Sequence, residues 1–122
     1  MGYSTTIIEV GPDASDFLAE QMAITFAGNA PEELRSYCFV IDKSELTSPL
    51  AVDQPVLIGD QEWRITAIGD VAEKNLGALG HVTLVFDGAS EPRLPGALHL
   101  GGPHTEPTLA AGTRLEIGRA HV

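Results

Sequence analysis

Five side chains in this 122-residue sequence offer a nucleophilic or metal-ligating atom of the soft kind: His81, His99, His104, His121 and the single cysteine, Cys38. A neutral imidazole takes up a proton, a metal or an acyl or phosphoryl group near physiological pH. Spacing narrows the chemistry. His99 and His104 stand five apart in a Pro- and Gly-rich stretch, without the spacing of a zinc site. One cysteine excludes a disulfide framework and any multi-cysteine metal centre, and no metal or cofactor is expected. Cys38 lies inside the apolar run CFV and reads as buried and inert. The pair Gly101-Gly102 lacks the Lys-Ser/Thr of a phosphate-binding loop, and no Gly-x-Ser-x-Gly elbow exists.

Two histidines remain. His81 follows Gly80, which ends a helix and opens a strand, so its ring belongs at a rim. It is either a solvent-accessible nucleophile or a structural ring that bonds a carbonyl and fixes the helix–strand corner. His99 alternates with Leu98 and Leu100 and points away from both. It either faces solvent or lines a pocket. His121, next to last, belongs to a loose C-terminal GRAHV.

The elements that must position these rings are short. TTIIEV is β-rich and stops at Gly11-Pro12. Asp13 or Ser15 is expected to cap a helix running through Phe17, Leu18 and Met22, although MAITFA also reads as a strand. Pro31 opens one helical turn at Glu32-Glu33, and Tyr37 to Ile41 is a strand. PVLIGDQEWRITAIG is a hairpin with Trp63, Ile65 and Ala67 on one face. Asp70 is expected to cap a helix that ends at Gly80. HVTLVF, LHL and RLEI complete the strands. Glu32-Glu33 and Glu73-Lys74 read as solvated helix faces. Seven or eight strands with two or three short helices predict an all-β fold. One domain over residues 1–122 is expected: a small antiparallel barrel or sandwich.

Seventeen acidic residues against seven basic ones give a formal charge of −10. Nucleic acid and anionic membrane surfaces are poor partners for such a chain. No run is long enough to span a bilayer, and MGYSTTIIEV lacks the start of a signal peptide. MGYSTT matches the loose myristoylation pattern only. A cytoplasmic protein is expected, and unpaired barrel edges would allow a homo-oligomer.

Four stretches together resemble one family. QMAITF with GNAPEEL, YCFVIDKSEL, AIGDVAEKNLGALGHVTLVFDG and LPGALHLGGP are similar to segments of the glucitol/sorbitol-specific IIA component of the bacterial phosphoenolpyruvate-dependent sugar phosphotransferase system. The resemblance implies a mostly β barrel. It also implies a cytoplasmic phosphocarrier, which meets the membrane only through the permease. That carrier takes a phosphoryl group on a histidine from the histidine-containing phosphocarrier protein. It hands the group to the IIB part of a IIB/IIC permease. Matched residue by residue, the family's phosphohistidine falls on Ile41, which has no nucleophilic atom. His81 and His99 match two further family histidines. His81, forty positions from Ile41, is the first alternative acceptor or assisting residue, and His99 the second. His99, Asp42 and Lys43 are expected to line the pocket; Asp42 would repel a phosphoryl group unless Lys43 compensated. Three functions stay open: a phosphocarrier, a phosphorylation-inactive binding or regulatory module on the same scaffold, or a structural or ligand-binding barrel that only resembles the family.

Overall fold

Period-two burial builds the sheet. In the computed structural model, which describes residues 2–28, 30–103 and 107–118, the clearest example is β5 (Gln61–Ile68). Its Trp63, Ile65 and Ala67 are buried, while Glu62 and Arg64 are exposed. Gly59-Asp60 joins β5 to β4 (Pro55–Ile58), with Ile58 opposite Gln61 and Gly59 at φ +61°. That left-handed residue matches the twist of a tight hairpin.

The other strands are β1 (Tyr3–Val10), β2 (Met22–Ala27), β3 (Cys38–Ile41), β6 (Val82–Val85), β7 (Ala97–Gly101) and β8 (Arg114–Ile117). They close a barrel in the order β1-β3-β2-β6-β7-β5-β4-β8. The expected all-β architecture is therefore observed. A closed ring leaves no open strand edge among the described residues, which removes the edge pairing on which a homo-oligomer was expected to rest. Two neighbouring pairs, β2–β3 and β6–β7, run parallel rather than antiparallel. Each is joined by a crossover, residues 28–37 and 86–96, long enough to return the chain to its starting end.

Three helices decorate the ring: α1 (Ala14–Leu18), α2 (Glu32–Arg35) and α3 (Ala72–Leu79). The expected continuation of α1 to Met22 fails. The chain turns at Gln21, φ +64°, and Met22 is already in β2, opposite Val85. Nor does Asp70 cap α3. Val71 holds the N-cap position, and no side chain bonds the helix end there. Backbone bonds from Val71 N–H to the Pro95 carbonyl and from Ala72 N–H to the Gly69 carbonyl do that work. α3 presses Ala72 and Leu76, both fully buried, onto the barrel core. It ends at Gly80 in the left-handed region, φ +64°.

The core joins Trp63 and Phe86, edge to face at 5.1 Å, with Ile7, Ile41, Ile65 and Leu76. Each such side chain contributes about 1.5–3 kcal/mol by leaving water. Past β3, residues 42–54 are tied down by hydrogen bonds. Thr5 Oγ1 donates to the Asp42 carbonyl at 2.6 Å, and Ser44 Oγ to the Ser4 carbonyl at 2.6 Å. Leu50 N–H donates to Glu73 Oε1 at 2.7 Å, so Glu73 is a tether to α3 as well as part of a solvated face.

Candidate functional site

Ile41 ends β3 with its side chain in the barrel interior and no exposed surface. Its inward direction follows from alternation: Phe39 and Ile41 join the core cluster, while Cys38 lies on the outer face. Its Cδ1 lies against Gly80, where a Cβ would come within 3.3 Å of it. Asp42 and Lys43 are exposed instead of lining a hollow around it. Asp42 N–H donates to the Thr6 carbonyl at 3.0 Å, and Lys43 Nζ to the Ala78 carbonyl at 3.3 Å, in the last turn of α3.

His81 stands at the rim where α3 turns into β6. Its half-buried ring packs on Phe26, centroids 4.6 Å apart. Nδ1 lies 3.1 Å from the Thr25 carbonyl. A carbonyl only accepts, so Nδ1 carries a proton, and in the neutral form of the ring the lone pair lies on Nε2. The corner is fixed from the other side by the buried Thr25 hydroxyl, which donates to the Gly80 carbonyl at 2.9 Å. His81 opens into a concavity of about 430 Å³ with Phe17, Leu34, Tyr37, Cys38 and Glu33 on its walls. Phe17 and Tyr37 meet edge to face at 5.6 Å. Neither Lys nor Arg is among the lining residues, and Glu33 supplies a negative charge. The concavity is apolar, acidic at one edge, and lies on the face of the sheet opposite Ile41. Burial pushes the Cys38 thiol up, as expected of an inert thiol.

His99 is fully buried, so it does not face solvent; it stands in the wall of a cavity that holds Gln21, Asp87 and Arg93 and none of Ile41, Asp42 and Lys43. Nδ1 donates to Asp87 Oδ1 at 2.8 Å, and Nε2 accepts from Arg93 N–H at 3.3 Å. Both ring nitrogens are therefore occupied. Asp87 Oδ1 also accepts from Ala89 N–H at 3.0 Å. Burial raises the Asp87 pKa, but the His99 and Ala89 hydrogen bonds and the charge of Arg93 outweigh it and hold the carboxyl below its ordinary value. Asp87 and Arg93 were not foreseen as partners of His99. The parallel pairing of β6 with β7 sets Val85 opposite His99 and brings Asp87 within reach. Asp87-Gly88 read only as a turn.

Among the described residues no group of three His, Cys, Asp or Glu side chains forms a metal site, and no helix is long and apolar enough to cross a membrane. His104 and His121, with the GRAHV end from residue 119, lie outside the described residues.

Fold and sequence place the chain together with phosphotransferase-system IIA proteins. The family described as PTS system glucitol/sorbitol-specific IIA component matches residues 2–116. Two proteins named PTS system glucitol/sorbitol-specific EIIA component, from Shigella flexneri and Escherichia coli (strain K12), are each 46% identical over 115 residues, covering 94% of this chain and 93% of theirs. A solved PTS system IIA component from Enterococcus faecalis V583 superposes with a TM-score of 0.80 at 29% identity, over 93% of this chain and 97% of that one. The chain belongs to the glucitol/sorbitol-specific IIA component family.

Proposed function

We propose that this chain serves a sugar-alcohol phosphotransferase system as a docking component. It is recognised by the partners of a IIA protein, the histidine-containing phosphocarrier protein and the IIB part of the permease, but carries no phosphoryl group at position 41. One observation carries this reading: Ile41, on which the resemblance places the family's phosphohistidine, is a hydrocarbon side chain with no exposed surface. Phosphoryl transfer needs an open, in-line approach to a nucleophilic atom, and a buried hydrocarbon supplies neither. The rest of the chain matches the family across almost its whole length, 46% identical to a relative over 94% of the chain, which supports recognition by the same partners.

A second reading is favoured by the free Nε2 of His81, which faces an open concavity with its tautomer already set. Against it stands the surrounding charge. A phosphoimidazole carries about two negative charges and is stabilised by cationic or N–H donors. The concavity brings Glu33 and no cation.

One experiment separates the two. The purified chain is incubated with phosphoenolpyruvate, the first general phosphotransferase protein and the histidine-containing phosphocarrier protein, and its intact mass is read. The expected result is no phosphoryl gain, with binding to the phosphocarrier still visible as saturable NMR shifts. Ile41→His is expected to gain an acid-labile phosphoryl group. A stoichiometric gain by the unaltered chain that disappears in His81→Ala would establish relay through His81 and sink the docking-only reading.

A further inference from the structure

Three neighbouring strands supply the floor of the concavity that holds His81. Ile24 of β2 pairs with Cys38 of β3 on one side and with Thr83 of β6 on the other, and all three line the hollow. Alternation turns them outward, because their neighbours Ala23, Phe39 and Leu84 belong to the core. The walls come from short helices. Phe17 stands on α1, which packs on β2, and Leu34 on α2, which packs on β3; Tyr37 follows α2. Leu34 and Tyr37 are 43% and 40% exposed, so two large side chains meet water over one hollow. An exposed apolar patch with polar residues at its rim marks an interaction surface. Tyr37 is the type of residue that anchors such surfaces, and its edge-to-face contact with Phe17 holds the ring in place before a partner arrives.

Charge at the rim selects the occupant. Glu33 lines the concavity. Glu32 beside it, and Asp16 beside Phe17, are exposed, and none of the three has an ion-pair partner among the described residues. The cation of α2 is already spent. Arg35 gives Nε and Nη2 to the Glu9 carboxylate at 3.0 and 3.1 Å, and Nη1 to the Gly28 carbonyl at 2.9 Å. The hollow therefore offers apolar surface with uncompensated negative charge at its edge. Nucleic acid and anionic membranes are repelled by it. A second copy in a two-fold contact would set the same carboxylates against one another. An apolar anchor flanked by cations is complementary on both counts.

We propose that this concavity is a docking surface for a protein partner that lays a bulky aliphatic or aromatic side chain over Ile24, Leu34 and Tyr37 and flanks it with Lys or Arg. The proposal goes beyond the function argued above: it stands on the concavity alone and needs nothing of position 41.

The test is an NMR titration of ¹⁵N-labelled chain with three blocked peptides, KKLWKK, EELWEE and KKAAKK, with no other protein present. KKLWKK should give saturable shifts around residues 16–18, 33–38 and 81–83, and the other two should not. Tyr37→Ala and Leu34→Ala truncate side chains that are already exposed, so both variants keep the fold. Tyr37→Ala should weaken KKLWKK binding about tenfold, as loss of an aromatic anchor does. Glu32→Lys with Glu33→Lys should also weaken it. Asp60→Lys with Asp70→Lys, an equal change of net charge at exposed residues that do not line the hollow, should not. The proposal is overturned if KKLWKK gives no saturable shift at these residues, if KKAAKK or EELWEE binds there equally well, if Tyr37→Ala and Leu34→Ala both bind as tightly as the unaltered chain, or if the two double charge reversals act alike. Self-association of the chain alone that Tyr37→Ala abolishes, read by sedimentation, would assign the face to a second copy and also overturn it. Failure here with phosphocarrier binding intact removes this surface alone. Peptide binding without phosphocarrier binding removes the docking reading alone.

Discussion

Asp87 and Ile41 show how much a single side chain decides in this barrel. The Asp87 carboxylate ties the loop after β6 to His99, and its pKa is held below the ordinary value. Its unfolded value is about 3.9. The stabilisation is therefore complete above that pH and is lost as pH falls through the lower, folded-state pKa. Urea midpoints measured between about pH 6 and pH 2.5 should fall toward acid, with the steepest part below about pH 4. Asp87→Asn should be less stable near neutrality and lose that share of the acid slope. An unchanged slope in the variant would show that other carboxylates carry it. Ile41→His, the variant that tests phosphoryl transfer, should cost about 1–3 kcal/mol, because it puts a polar ring into an apolar interior. Position 41 was singled out in the sequence because the resemblance carried by Tyr37-Cys38-Phe39-Val40 places the family's phosphohistidine there. The Asp87–His99 pair could not, since strand order, not spacing, brings it together.

Short elements behave differently from their ends. Every strand was located, most by β-rich runs bounded by turn residues, and β5 also by the period of two that a wall with one apolar face imposes, which Trp63, Ile65 and Ala67 display openly. The start of α3 was misplaced at Asp70, because its cap is made by backbone bonds, and the end of α1 at Met22, because β2 claims that residue early. The end of α3, by contrast, was readable as glycine followed by a strand. Gly80 has two reasons to be glycine: φ is +64°, and a Cβ would meet the Ala27 Cβ at 3.0 Å, the Ala27 nitrogen at 3.1 Å and Ile41 Cδ1 at 3.3 Å. A left-handed alanine costs about 1–2 kcal/mol before any crowding is counted. Gly80→Ala should thus destabilise by about 2 kcal/mol or more. It should also displace His81, seen as a changed imidazole titration or carbon shift. A variant as stable as the parent, with an unmoved His81 signal, would mean that this corner is not under steric tension.

Charge acts on the molecule as a whole. A formal −10 over 122 residues places like charges near one another across most of the surface. The ion pairs that offset it, such as Glu9 with Arg35 at 3.0 Å and Glu62 with Arg64 at 3.5 Å, lie exposed and contribute little. The closed ring keeps the backbone satisfied, and the core supplies the stability, so repulsion among carboxylates is the term most open to solvent. Salt screens that term: the Debye length falls from about 30 Å at 0.01 M to about 10 Å at 0.1 M. The melting temperature should therefore rise between those two conditions at pH 7, with most of the gain complete by about 0.15 M, where exposed charges are already largely screened. Chloride and acetate salts should act alike, because screening depends on ionic strength rather than on ion identity. Sulfate would add a separate stabilisation through exclusion from the surface and is the wrong probe. A melting temperature that stays level or falls with salt would show that attractive pairs outweigh the excess of carboxylates. It would also remove the reason to expect salt-sensitive, electrostatically steered docking on this acidic surface.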